Sequence, residues 1–238
     1  MSVAIRINGA ELEADPSGAL WWPGRKTLIV ADLHFEKGSS YAPGGRLLPP
    51  YDTTETLARL AAIVQRLAPT RIVCLGDSLH DGDAAARIAP DDRARLAALM
   101  DQRDWIWIEG NHDPHPHGLG GRVLAEWAEG PLLFRHAARI NGTGSRSKRL
   151  APNAAGEISG HYHPRAGVNW RGRTVTGRCF VHDGARLVMP AFGAYTGGLD
   201  VGDPAIRRLF PRGFRIDLIG RERLHRFDSR LLFAARHV

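Results

Sequence analysis

The chain has 238 residues, 43% of them hydrophobic, which is enough to bury a full core as one domain. No apolar run approaches the roughly 20 residues of a membrane-spanning helix, and residues 1–6 lack a signal-peptide design, so a cytoplasmic protein is expected and a membrane role is excluded. Two cysteines rule out a disulfide framework and a thiolate zinc site, while the net charge of +7 favours a polyanionic partner, although Arg-rich composition also arises from genome bias.

Residues 3–8, 11–14 and 19–22 alternate like strands. Residues 27–31 are apolar and β-branched enough for a buried strand, and Asp32-Leu33-His34 follows at once. On an extended stretch, residues two apart share a face, so Asp32 and His34 can reach one ion together. Residues 53–67 place Leu57, Leu60, Ala61, Val64 and Leu67 at helical spacing, with Asp52 as the expected N-cap. A second strand, 71–75, runs into Gly76-Asp77, with His80-Asp81 just beyond. Pro90-Asp91 opens a helix reaching about Met100. A third strand, 105–108, leads to Gly110-Asn111-His112-Asp113.

The apolar run 131–135 ends at His136. Residues 139–150 then form a basic segment that either grips a nucleic acid backbone or is a solvated insertion. A weaker strand, 157–159, precedes Gly160-His161-Tyr162-His163. The remainder is mostly strand-like, over 174–176, 179–182, 186–189, 215–219 and 223–227. Cys74 and Cys179 lie in predicted strands and read as reduced core residues. Trp170, set among basic residues, either stacks a base or packs in the core or an interface.

Each cluster taken alone is ordinary, since Gly-Asp and Gly-Asn after a strand are common turns. All four in order, each past a strand end, supply imidazole and oxygen donors for two divalent ions. Beyond the carboxyl ends of strands is where open α/β sheets build their sites. No P-loop, dinucleotide fingerprint or Gly-x-Ser-x-Gly elbow competes with this reading.

With Asp-x-His, Gly-Asp, Gly-Asn-His-Asp and Gly-His-x-His in this order, the chain resembles the calcineurin-like metallophosphoesterases from about residue 27 to residue 198. The stretches 32–38, 48–53, 158–164 and 190–199 resemble its bacterial branch of ligase-associated DNA damage response endonucleases, PdeM. The resemblance implies a four-layer αββα sandwich, an α/β fold of two mixed sheets flanked by helices. One domain would span 1–238, with core motifs in 27–198 and C-terminal strands in 215–227.

The resemblance further implies that Asp32, His34, Asp77 and His163 hold one ion. Asp77 would bridge to a second ion completed by Asn111, His161 and one more His. Of His115, His117 and His136, the last is chosen, because the other two share a Pro-rich loop with Asn111. Mn is the expected metal, with Fe, Zn, Co or Ni also suited to such donors. Paired metals lower the pKa of a bridging water and stabilise attacking and leaving oxygens. His112 would protonate the leaving group or stabilise phosphorane charge, with Asp113 holding its ring. His80 would contact the phosphate or leaving group, or else is an ordinary loop residue.

The implied function is a metal-dependent phosphodiesterase or nuclease acting on DNA, in repair, with ligase or helicase partners. A hydrolase of small phosphoesters or nucleotide pyrophosphates is the rival, and a nucleic-acid-binding protein with a structural metal site is a third reading. Neither oligomeric state nor substrate follows from the sequence.

Overall fold

The computed structural model describes residues 1–41, 49, 51–139, 156–170 and 173–234. The early strands β1 (Val3–Ile7), β2 (Ala10–Ala14), β3 (Leu20–Trp22) and β4 (Thr27–Val30) pair antiparallel in sequence order. β5 (Arg71–Leu75), β6 (Asp104–Ile108) and β7 (Arg122–Leu124) then add in parallel beside β4, giving a seven-stranded sheet.

Side-chain alternation decides what each face of this sheet buries. Ile29, Val73, Leu75, Ile106 and Ile108 face inward to one apolar cluster. Leu28, Val30, Ile72, Cys74, Trp105 and Trp107 face outward to another. The outward set packs under α2 (Asp52–Leu67) and α4 (Pro90–Met100), with the short α1 (Lys37–Ser40) and α3 (Ala84–Arg87) beside them.

The second sheet is built from β8 (Trp127–Glu129), β9 (Leu132–Arg135), β10 (Gly156–Ser159), β11 (Arg165–Trp170), β12 (Arg173–His182), β13 (Arg186–Val188), β14 (Arg215–Ile219) and β15 (Leu224–Asp228). Its order is β15-β14-β12-β13-β10-β9-β8, with β11 paired to β12. β10 is parallel to both β9 and β13, and the other pairs are antiparallel. Leu132, Phe134, Ile158, Phe180 and Leu187 meet the first sheet, so the two sheets enclose one apolar layer. On the outer face, Val181, Val188, Ile216 and Leu218 pack with Ile206 of α5 (Pro204–Arg207) and Leu232 of α6 (Ser229–Ala234). The expected αββα layering is present, with sparser helix on this second side.

Two local expectations change, and four short elements are added. Asp52 does not cap its helix: Tyr51 takes the cap position, and the Asp52 carboxylate accepts the Gly38 N–H at 3.0 Å. Residues 174–176 and 179–182 are parts of one ten-residue strand, because β11 and β14 pair along successive lengths of it. The short elements α1, α3, α5 and α6 carry too few residues for a periodic signal. Among the described residues, no helix is long and apolar enough to cross a membrane. Most of the basic segment 139–150 lies outside the described residues, as does the side chain of Trp170.

Candidate metal centre

The parallel strands β4, β5 and β6, with β9 and β10 of the other sheet, deliver five loops to one end of the sandwich. The first two loops zip together: the His34 N–H donates to the Asp77 carbonyl at 2.9 Å and the His80 N–H to the Phe35 carbonyl at 3.1 Å. Asp32, His34, Asp77, His161 and His163 all have positive φ, between 44° and 72°. Such residues cost about 1–3 kcal/mol each and cluster where function requires them. The pairs Asp32/His34 and His161/His163 therefore converge through left-handed turns beyond the strands, not through the strand pleat that their spacing suggested.

Glycines make room for this crowding. A side chain at Gly76, where φ is +76°, would come 2.5 Å from His136 Nδ1. One at Gly110 would come 2.2 Å from both Asp77 N and Asp77 Oδ1. The Gly that precedes three of the four polar clusters, Gly76, Gly110 and Gly160, thus clears space for a side chain from a neighbouring loop.

Donor atoms gather in interlocking groups. Asp32, His34 and His163 form one and Asp77, His136 and His161 another; within each, one atom per residue lies within 4.8 Å of the rest. His34, Asp77 and His112 form a third group by the same measure, linking the two. His163 Nε2 lies 3.2 Å from Asp32 Oδ1. His136 Nε2 lies 2.9 Å from Asn111 Oδ1, 3.0 Å from His161 Nδ1 and 3.4 Å from Asp77 Oδ2. Two ligands about 2.1 Å from a common ion, at right angles, are roughly 3 Å apart. The spacings match donors around cations.

The hydrogen bonding agrees. His136 donates Nδ1–H to the Leu75 carbonyl at 2.9 Å, which turns Nε2 toward the other donors. The buried Nε2 atoms of His34 and His163 have no hydrogen-bond partner. Leaving such atoms unpaired costs about 1–3 kcal/mol each, a cost that a cation would remove. This donor set fits divalent metals.

The electrostatics differ from one buried group to the next. Burial and the neighbouring His163 hold the His34 pKa down to about 3. Burial also acts to lower His136, but the Asp77 hydrogen bond and the Asp32 and Asp77 charges outweigh it and raise its pKa to about 9. Burial opposes ionisation of Asp77, yet contacts with His136, His112 and His34 hold its carboxyl well below the ordinary range.

His112 flanks the cluster. Its N–H donates to Asp77 Oδ1 at 2.9 Å, and its ring Nδ1–H donates to the His80 carbonyl at 2.7 Å, leaving Nε2 for other chemistry. The His80 ring stacks on that of His112 at 5.1 Å, with Nδ1 3.4 Å from His34 Nδ1. Asp113 does not hold the His112 ring as expected. Its buried carboxylate instead accepts N–H groups from Gly110, Asp77, Ser78 and Leu79 at 2.7–3.1 Å, bracing two ligand loops together. Four donors on the backbone leave it no geometry for the imidazole. Asp81, next to His80, is taken by Arg87 at 2.6 Å.

The other candidate histidines lie apart from these groups. His117 packs edge-on against Trp107 at 4.9 Å, and His115 is exposed. Tyr41, whose ring lies 6.2 Å from that of His80, was not anticipated, because no spacing in its Gly- and Pro-rich surroundings marks it.

Comparison with known proteins gives a consistent result. The family described as calcineurin-like phosphoesterase matches residues 25–219. The crystal structure of Pseudomonas putida nuclease MPE is similar at 30% identity and a TM-score of 0.68, over 94% of this chain and 100% of that one. Yfce, a phosphoesterase from E. coli, is similar at 12% identity and a TM-score of 0.42, over 84% and 97%. No curated protein matches the sequence. The family match covers strands of both sheets and every loop of the donor cluster, so the chain belongs to the calcineurin-like phosphoesterases and is a metal-dependent phosphoester hydrolase.

Proposed function

We propose that this enzyme is a dinuclear phosphodiesterase that cleaves DNA, in repair, within the cytoplasm. The observation that carries the reading is the pair of donor triads around Asp77, with His112 beside them. Similarity to a nuclease over nearly the whole chain favours a nucleic acid substrate. Asp32, His34, Asp77 and His163 would hold one ion, and Asp77, Asn111, His136 and His161 the other, with Mn as the expected metal. When bound, the ions would orient the phosphate and offset charge on the attacking and leaving oxygens.

The chain's own groups divide the remaining work. His112, with Nδ1–H fixed on the His80 carbonyl, presents Nε2 as the proton donor to the leaving oxygen. His80, stacked on that ring, limits where the leaving group can lie. Asp113 acts as a positioning residue, fixing the Asp77 and Asn111 loops through backbone N–H groups.

The test is hydrolysis by Mn-loaded protein of a bis-aryl phosphate, an aryl monophosphate, and single- and double-stranded DNA, with Asp77→Asn as control. Cleavage of DNA and of the diester is expected, both lost in the control. Activity on the small esters with DNA intact at low salt would replace the nuclease reading with that of a small-phosphoester hydrolase.

A further inference from the structure

The opposite end of the sandwich is also polar: five arginines (Arg6, Arg212, Arg215, Arg226 and Arg230) and four acidic residues line a cavity there. The cavity, of about 1080 Å³, opens between the edge strands of the two sheets, lined by Gly9, Pro23, Pro131, Gly184, Arg212 and Arg230 among others. Pro131 lies just before β9 and His136 just after it. The cavity and the metal centre are therefore separated by the length of that strand, roughly 17 Å at about 3.3 Å per residue. A second hollow, lined by Arg207, Arg208 and Pro211, adjoins it and shares Gly213, Phe214 and Arg230.

Residues 204–234 contain eight arginines and three acidic residues, and so account for five of the seven net positive charges. All eight arginines are exposed. Arg226 is occupied by Asp217 at 2.7 Å. Arg208, Arg212, Arg215 and Arg230 have no carboxylate partner among the described residues. The four acidic groups have other partners: Glu11 pairs with Arg6, Glu13 accepts the Ser2 hydroxyl, Asp183 accepts the N–H groups of Ala185 and Arg186, and Asp228 accepts that of Arg230. Unpaired, exposed guanidiniums lining adjoining hollows suit phosphates spaced along a chain, through bidentate contacts that release counterions.

We propose that this arginine surface is a second DNA-backbone contact, which holds the strand beyond the segment being cut; it rests on the nuclease reading of the metal centre. Such a contact acts only on DNA long enough to pass around the molecule. It adds affinity without touching the reacting phosphate.

The experiment compares the Mn-loaded wild type with an R208A/R212A/R215A/R230A variant on a bis-aryl phosphate and on 6- and 30-nucleotide single-stranded DNA across a salt series. The variant should match the wild type on the small diester and the 6-mer, which also reports an intact fold. On the 30-mer its kcat/KM should fall about 10-fold or more at low salt, and its log–log salt slope should flatten by up to about 3. A variant with lysines at the same four positions should recover most of the loss. Equal kcat/KM and equal slope on the 30-mer would overturn the proposal. Should the wild type fail to cut DNA, the nuclease reading falls separately, and anisotropy with the 30-mer decides the surface: weakened binding in the alanine variant sustains it, unchanged or absent binding ends it.

Discussion

Imidazoles and carboxylates are buried together at both ends of this sandwich, but they are treated in opposite ways. At the far end, Asp217 is fully buried, its oxygens 3.1 Å from His182 Nε2 and 2.7 Å from Arg226 Nε, and Arg226 also donates to the Ala4 carbonyl of the other sheet. These groups lie on neighbouring strands in ordinary extended backbone, and each is paired. At the metal end, five donor residues sit on left-handed backbone and two ring nitrogens are buried without partners. Paired groups stabilise a fold, whereas strained and unpaired ones mark where something else must bind.

Substitutions at the two ends should therefore separate activity from stability. Asp77→Asn should have the largest effect. Removing a shared anionic donor forfeits several kcal/mol of charge stabilisation, on the order of 10³-fold in turnover, with lower metal content by elemental analysis. Full activity with both metals retained would break the contrast at its strongest point.

Next comes His112→Ala, with metal content preserved and turnover down about 10²–10⁴-fold. The loss should shrink on substrates with acidic aryl leaving groups, which need no proton. An empty site in that variant would move His112 among the ligands.

Asp113→Ala sharpens the distinction within the metal end. Four backbone N–H groups lose their acceptor, so a stability loss of about 1–3 kcal/mol is expected in denaturant melts. Its activity should not depend on leaving-group acidity in the way that His112→Ala does. The same dependence in both variants would restore Asp113 as the partner of the His112 ring.

Asp217→Asn should have the smallest effect on catalysis, leaving turnover with saturating Mn intact while lowering stability. Burial acts to raise the Asp217 pKa, but His182 and Arg226 outweigh it and hold it below the ordinary 3.8. Its contribution is fully present above that ordinary value and is lost as pH falls through the lower folded one. The Tm difference between wild type and variant should thus persist from neutral pH to about pH 4 and close below it. A difference that grows with acid would reverse the sign and refute the pairing.

Much of this was legible along the chain. The runs at 27–31, 71–75 and 105–108 are near-continuously apolar, as strands packed on both faces must be, and the motif after each marks a polar loop. His136 was reached through its place at the end of an apolar run, and the structure sets its Nε2 among the other donors. Adjacency to His112 points to Asp113 as its ring partner, but the turn aims the two neighbouring side chains in different directions. Asp52 misled for a similar reason, its carboxylate being claimed by a glycine N–H 14 residues away.

By itself the sequence determined the kinds of donor, their strand-end positions and the layered α/β architecture, because periodicity and turn chemistry are local properties of the backbone. Only the tertiary structure shows which of these side chains lie within one cluster, which nitrogen of His112 and His136 faces a carbonyl, and that Asp113 braces loops. It also gathered arginines from separate segments around the opposite end. These depend on contacts between segments far apart in the chain, where close packing and the pairing of buried polar groups set each side chain's direction.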